Sequence, residues 1–148
     1  MLHAYPPPYF WILRTDGAAV PNPGRMAIGV VLTTPDGGRH EVGQLLPGRG
    51  CNNEAELRAL MAGLDLARQQ GAASVRIYTD SQWLIEQLTQ PAQAGAQIRP
   101  TLRLAQWLHN ASLLLKDFEQ VQWRWVPRRC NAEADALARA ALSLPLPG

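Results

Sequence analysis

Lysine is almost missing from this chain. Lys116 is the only one among 14 basic residues, and 12 acidic residues bring the formal net charge to +2. So even a balance lacks the basic stripe that marks a nucleic-acid binder by charge alone. A cation set that is nearly all arginine suits bidentate phosphate contacts, although a compositional bias of the source genome gives the same excess. Cysteine is also scarce. Cys51 and Cys130 cannot form a disulfide framework and read as free thiols in a reducing compartment. Because both flank acidic motifs, a regulatory Cys51–Cys130 bridge is the alternative. No apolar run approaches the roughly 20 residues that span a bilayer. The first residues, Met1-Leu2-His3-Ala4-Tyr5-Pro6, show no basic stretch followed by an apolar one, so no secretory leader is expected and the location expected is cytoplasmic. There is no internal repeat and no linker-like stretch. What remains is 148 residues, 47% of them apolar, enough for one soluble domain with its own core.

Read along the chain, residues 1–9, with Pro6-Pro7-Pro8, form an extended lead-in. Residues 10–143 form a single domain, and residues 144–148 form a short tail that Pro145 and Pro147 keep from being helical. Phe10–Thr15 reads as a strand followed by an Asp16-Gly17 turn, and Pro21-Asn22-Pro23-Gly24 is turn chemistry. Met26–Thr34 is a second strand, Asp36-Gly37-Gly38 a hairpin turn, His40–Leu46 a third strand and Pro47–Gly50 a loop. Leu57, Leu60, Met61, Leu64 and Ala67 recur at helical spacing, so Asn53–Gln70 is a helix that Gly71 stops. Ser74–Thr79 is a fourth strand, and Ser81–Gln90 and Pro100–Phe118 are helices. Gln120–Val126 is a fifth strand. Pro127–Cys130 connects it to a last helix, Asn131–Leu142, with Asn131 as N-cap. A three-strand meander followed by alternating strands and helices predicts an α/β fold: a mixed five-stranded sheet of order 3-2-1-4-5, strand 2 antiparallel, with helices on both faces.

Four acids stand out, because each sits in a short polar motif at a predicted strand end or helix start: Asp16, Glu56, Asp80 and Asp135. Each has a local alternative. Asp16 suits a turn, Asp80 a helix N-cap, Glu56 a capping box with Asn53, and Asp135 the favourable end of a helix dipole. Together they point elsewhere. Asp16 and Asp80 should end neighbouring parallel strands, where ligand sites of such sheets lie, and the helices bearing Glu56 and Asp135 can open toward the same edge. Four carboxylates gathered in one place need cations between them, and hard divalent ions prefer oxygen ligands. Two nearby acids compete. Glu54 has the spacing for a surface ion pair with Arg58, which favours Glu56. Asp135 shares a face with Ala138 and Leu142, which favours it slightly over Glu133.

The motifs Thr15-Asp16-Gly17 with Asn22-Pro23-Gly24, Asn52-Asn53-x-x-Glu56-Leu57, Thr79-Asp80-Ser81-Gln82, Trp123-x-Trp125-Val126 and Asn131-x-x-x-Asp135-x-Leu137-Ala138 resemble, in order and spacing, those of type 1 ribonuclease H. The resemblance spans about residues 10–142 and selects Glu56 and Asp135 over their neighbours. It implies the ribonuclease H-like fold and cleavage of the RNA strand of RNA–DNA hybrids with two magnesium ions, or manganese, leaving a 3′-hydroxyl and a 5′-phosphate. By motif, Asp16 would bridge both ions, Asp135 would hold the ion that activates water, and Glu56 and Asp80 the one facing the leaving group. Asn22, Asn52, Asn53 and Gln82 match positions that touch the nucleic-acid backbone, where amides can pair with a 2′-hydroxyl. A monomer is expected.

The chain departs from this pattern in three places. Many family members carry a histidine between the last strand and the last helix. Here His3, His40 and His109 all lie elsewhere, so Arg128 or Arg129 would bind the product phosphate instead, or else both simply line the surface. The basic handle of some members is absent from residues 89–97, which predicts modest, salt-sensitive affinity. Arg99 and Arg103 read as a solvated helix face or as a reduced contact. Cys51 stands where a small hydroxyl residue often binds a DNA phosphate. A binding module without catalysis and a nuclease of the wider superfamily are the competing readings, and RNA duplex is a second candidate substrate of the ribonuclease H reading.

Overall fold

The computed structural model describes residues 9–90 and 101–144. The polyproline segment, Arg99 with the stretch around it, and the tail from Pro145 onward lie outside them. Five strands, β1 (Trp11–Val20), β2 (Gly24–Thr33), β3 (Arg39–Gly50), β4 (Ser74–Thr79) and β5 (Gln120–Trp125), form one sheet of order β3-β2-β1-β4-β5. β1, β2 and β3 pair antiparallel, and β4 pairs parallel to β1 and to β5. The helices are α1 (Asn52–Gln69), α2 (Gln82–Thr89), α3 (Leu102–Leu115) and α4 (Ala132–Leu142). The expected fold class and strand order both hold.

Period-2 alternation on β1 sorts its side chains between two faces. Leu13 and Thr15 point at α1, whose apolar stripe of Leu57, Leu60, Leu64 and Ala67 is fully buried against Leu13, Val30, Leu32, Val75 and Ile77. α2 and α3 complete this layer through Leu84 and Ala111. α4 packs on the opposite face, over β1, β2 and β3. Two glycines bring the helices close to the sheet at the level of Asp16. A Cβ on Gly17 would lie 2.2 Å from the Ala55 carbonyl oxygen in α1, and one on Gly29, the cross-strand partner of Asp16, 1.9 Å from that of Ala134 in α4.

Three local expectations fail. Asp16-Gly17 is not a turn: β1 runs on to Val20 because β2 offers it partners as far as Arg25. What ends near Asp16 is the pairing with β4, whose last bridge to β1 is Arg14 to Tyr78. Pro47–Gly50 is not a loop. A register shift between Arg25 and Ala27 absorbs the extra residues of β3, which then pairs on to Gly50, and an edge strand tolerates a proline at such a bulge. Asn131 precedes α4 without capping it by its side chain, because its amide is used elsewhere.

Candidate metal centre

Asp16 leaves β1 toward the α4 face at the point where β4 stops running alongside it. β4 ends one residue before Asp80, and the turn into α2 is held by Ser81, not Asp80: the Ser81 hydroxyl accepts from the Leu84 N–H at 3.1 Å. Glu56 comes from the second turn of α1. It makes no capping box, since the helix is preceded by Cys51 with no side-chain cap. Its Oε1 accepts instead from the Gly17 N–H at 3.3 Å, a contact that the close approach at Gly17 permits. One carboxylate oxygen each from Asp16, Glu56 and Asp80 lies within 4.8 Å of the other two.

This trio is short of compensation. Asp16 is 4% exposed and Glu56 7%, and none of the three forms an ion pair among the described residues. Glu56 Oε2 and Asp80 Oδ2 are buried without a hydrogen-bond partner. Burial, then the neighbouring negative charges of Asp80 and Asp135, push the Asp16 carboxyl up to about 7, against some relief from the Glu56 side chain. Burial and the Asp16 charge push Glu56 well above the ordinary carboxylate range. Burial raises Asp80 too, opposed chiefly by the Arg128 guanidinium and by the Asn131 amide. Buried, mutually repelling oxygens of hard-ligand type fit a divalent cation: the donor chemistry suits it, and the orphaned oxygens would be satisfied by it.

Asp135 lies outside the trio. Its charge reaches Asp16 and Asp80, while its Oδ2 accepts from Arg139 Nε at 2.8 Å one turn along α4. Glu133, its competitor, is turned away to Arg39 on β3, and that cation lowers the Glu133 carboxyl. Of the expected substrate contacts, Asn22 and Asn52 form a relay: the Asn52 N–H donates to Asn22 Oδ1 at 3.0 Å, and Asn52 Oδ1 accepts from the Ala19 N–H at 2.8 Å. Gln82 is exposed at the start of α2 and Asn53 is half-buried. Arg128 and Arg129 form an exposed 3-10 turn between β5 and α4, and Arg128 is the one whose charge is felt at Asp80.

Two further residues position the carboxylates, a role that local sequence does not mark. Asn131 is 1% exposed. Its Nδ2 donates to the Thr15 carbonyl at 2.8 Å, which ties α4 to β1 beside Asp16, and the same side chain faces Asp80. Trp125 Nε1 donates to the Asp80 carbonyl at 3.2 Å. Asn131 looked like a cap because asparagine usually is one there. Trp125 stands in the Trp123-x-Trp125-Val126 motif at the end of β5, and that motif is the sequence signal that marks the residue, though not this role.

A mixed sheet of this order, with carboxylates gathered where its central parallel strands part, defines an α/β protein with a candidate acidic metal site. Comparison with known proteins narrows the class. The family model described as "Reverse transcriptase-like" matches residues 14–141. Ribonuclease HI of Halobacterium salinarum is 39% identical over 127 residues, which cover 86% of this chain and 61% of that protein, so the chain spans about three-fifths of that relative's length. The crystal structure of RNase H1 from the halophilic archaeon Halobacterium salinarum superposes with a TM-score of 0.80 at 38% identity, covering 90% of this chain and 98% of that one. LC11-RNase H1 in complex with an RNA/DNA hybrid gives 0.76 at 28% identity, over 88% and 95%. The chain belongs to the type 1 ribonuclease H family.

Proposed function

We propose that the chain is an endoribonuclease that hydrolyses the RNA strand of RNA–DNA hybrids, leaving 3′-hydroxyl and 5′-phosphate ends. The observation that carries this reading is the buried, unpaired trio of Asp16, Glu56 and Asp80 in a chain of this family. A relative solved on an RNA/DNA hybrid supports the choice of substrate. Asp16, Glu56, Asp80 and Asp135 would hold two magnesium ions, with manganese as the alternative. Bound there, the ions supply Lewis-acid polarisation of the phosphate and a water of lowered pKa.

The chain's own groups orient and bind. Asn131 fixes the backbone beside Asp16 through the Thr15 carbonyl, and Trp125 fixes the backbone of Asp80 through its own carbonyl. The Asn22–Asn52 relay locks the β1–β2 turn onto the start of α1, so Asn53 and Gln82 present their amides beside a fixed rim, where amides can pair with a 2′-hydroxyl. Arg128, already felt at Asp80, would hold the departing phosphate in place of the missing histidine, with Arg129 beside it. Residues 10–143 would act as one domain and as a monomer. No helix of the described residues is long and apolar enough to cross a membrane, and Cys51 and Cys130 are both free, which suits the reducing cytoplasm.

The test is cleavage of end-labelled hybrid, RNA duplex and DNA duplex, with magnesium or with chelator. The expected result is metal-dependent cutting of the RNA strand of the hybrid. No cutting of the hybrid, or cutting that survives chelator, overturns the reading. Equal cutting of RNA duplex broadens the substrate class.

A further inference from the structure

The face of the sheet that α4 packs on continues past that helix onto β4 and β5, and there it carries three arginines. Register places Arg14, Tyr78 and Arg124 in one row across β1, β4 and β5, with Ile12, Arg76 and Gln122 in the row next to it. At about 4.8 Å between strands and 3.3 Å per residue, the stems of Arg14 and Arg124 stand about 10 Å apart, with Arg76 about 7 Å along the strand from Tyr78. None of the three makes an ion pair among the described residues. Of the acids around that face, Glu41 and Glu133 are both engaged by Arg39, and Asp16 belongs to the metal centre. The guanidinium groups are also pre-positioned. Arg14 lies over the Tyr78 ring at 4.3 Å and Arg76 over the Phe10 ring at 4.9 Å. Arg76 Nε donates to Gln122 Oε1 at 2.8 Å, and Arg124 donates to the Trp123 carbonyl at 2.9 Å. Stacking consumes ring faces, not N–H donors, so each arginine keeps donors for an anion.

This patch adjoins the metal centre. Arg14 stands two residues before Asp16 on the same face of β1, and Tyr78 lies on β4 two residues before Asp80, which follows the end of that strand. We infer that the Arg14–Arg76–Arg124 face binds the phosphates of a single-stranded flank of the nucleic acid whose duplex part occupies the metal centre. Three observations select this occupant. The two rows of the patch carry three arginines and no acid, so they suit a polyanion. It is continuous with a site that takes nucleic acid, so one strand can reach both. Its breadth of about 10 Å matches a few nucleotides of one backbone, the scale on which single-strand sites begin. The inference rests on the nuclease reading of the adjoining carboxylates.

Binding and cleavage are therefore measured separately. Fluorescence anisotropy with a labelled single-stranded oligonucleotide, in chelator and over a salt series, compares the wild type with the triple variant Arg14→Gln, Arg76→Gln, Arg124→Gln. The expected result is weaker binding at low salt and a salt slope lower by about 2, at roughly 0.7 per phosphate contact on a single strand. A thermal melt confirms folding. If the triple variant does not fold, the single variant Arg124→Gln, at the exposed corner, should lower the slope by about 0.7. In cleavage, a hybrid with a single-stranded overhang should lose its KM advantage over a blunt hybrid, while kcat and blunt-hybrid cutting stay the same. An unchanged salt slope overturns the inference. So does a wild type that binds polyglutamate at this face and not the oligonucleotide, which would make the face a site for an acidic protein. Arginine-dependent strand binding without any metal-dependent cleavage upholds this surface and removes the nuclease reading.

Discussion

Glu54 and Glu56 sit two residues apart on α1, and both are buried, 1% and 7% exposed. Glu54 is fully compensated. Arg58 reaches it from the next turn at 3.4 Å, and Arg103 crosses from α3 to bind both oxygens, at 2.9 Å through Nη2. Arg58 also lies over the Trp107 ring at 4.7 Å, so the pocket fastens α1 to α3. Glu56 has no cation. It faces Asp16 and Asp80 and keeps one oxygen buried and unpartnered. Burial alone therefore separates nothing. An acid with its counter-charges supplied by the protein is part of the scaffold, and an acid denied them is waiting for a charge from outside.

The largest test of this contrast is Asp16→Asn. Metal-dependent cleavage of hybrid should fall by roughly a thousandfold or more, since several kcal/mol of charge stabilisation are at stake at tenfold per 1.36 kcal/mol. Wild-type turnover in an end-labelled assay would remove Asp16 from the centre.

Next comes stability, where the two glutamates should respond with opposite signs. Glu54→Gln leaves two arginines short of an anion and should destabilise the protein by about 2 kcal/mol, the low side for a broken buried pair because Arg103 is 59% exposed. Glu56→Gln removes a charge that burial penalises and should stabilise the metal-free protein at pH 8 by about 1 kcal/mol or more. Denaturant melts in chelator read both, and losses of equal sign and size would erase the distinction.

The pH profile sharpens the contrast further. Asp16, Glu56 and Asp80 all have folded pKa values above their ordinary ones, Asp16 at about 7 against 3.8. A raised folded pKa means that the native state holds protons the unfolded chain has given up. The stability Asp16 contributes is thus fully present below about pH 4 and lost as pH rises through about 7, and Glu56 and Asp80 act in the same direction. The melting temperature in chelator should drop across that window, and added magnesium should restore it most at the upper end, where the carboxylates are ionised. A flat profile, or equal restoration at pH 5, would speak against the trio as a cation site.

The smallest expected effect is that of the Arg128→Ala, Arg129→Ala double variant. A few-fold loss of kcat, with the melting temperature unchanged, fits a product-phosphate contact on an exposed turn. An unchanged rate would assign both arginines to the surface.

Much of this is legible in the sequence alone. The strand order came from a meander, two crossovers and the handedness rule. The α1 stripe follows from helical spacing, and the four candidate acids, Asp16, Glu56, Asp80 and Asp135, follow from polar motifs at predicted element ends together with the family resemblance; the structure gathers the first three of them within 4.8 Å. What could not be read locally depended on partners distant in the chain. Glu54 looked like half of a surface pair because Arg58 is near in sequence, whereas Arg103, 49 residues away, is what makes its burial tolerable. Asn131 looked like a helix cap, and its true partner, the Thr15 carbonyl, lies 116 residues off. Pro47–Gly50 looked like a loop because pairing with Gly24 and Arg25 across a bulge leaves no local trace.

By itself, then, the sequence determined the period of each element, the order of the strands and the residue types brought to one rim, since these follow from local patterning and from how chains connect. The tertiary structure alone decided which of the buried acids are neutralised and which are left unpaired. Electrostatic compensation acts through space over a few ångströms, and contacts of that range join residues that no local pattern links.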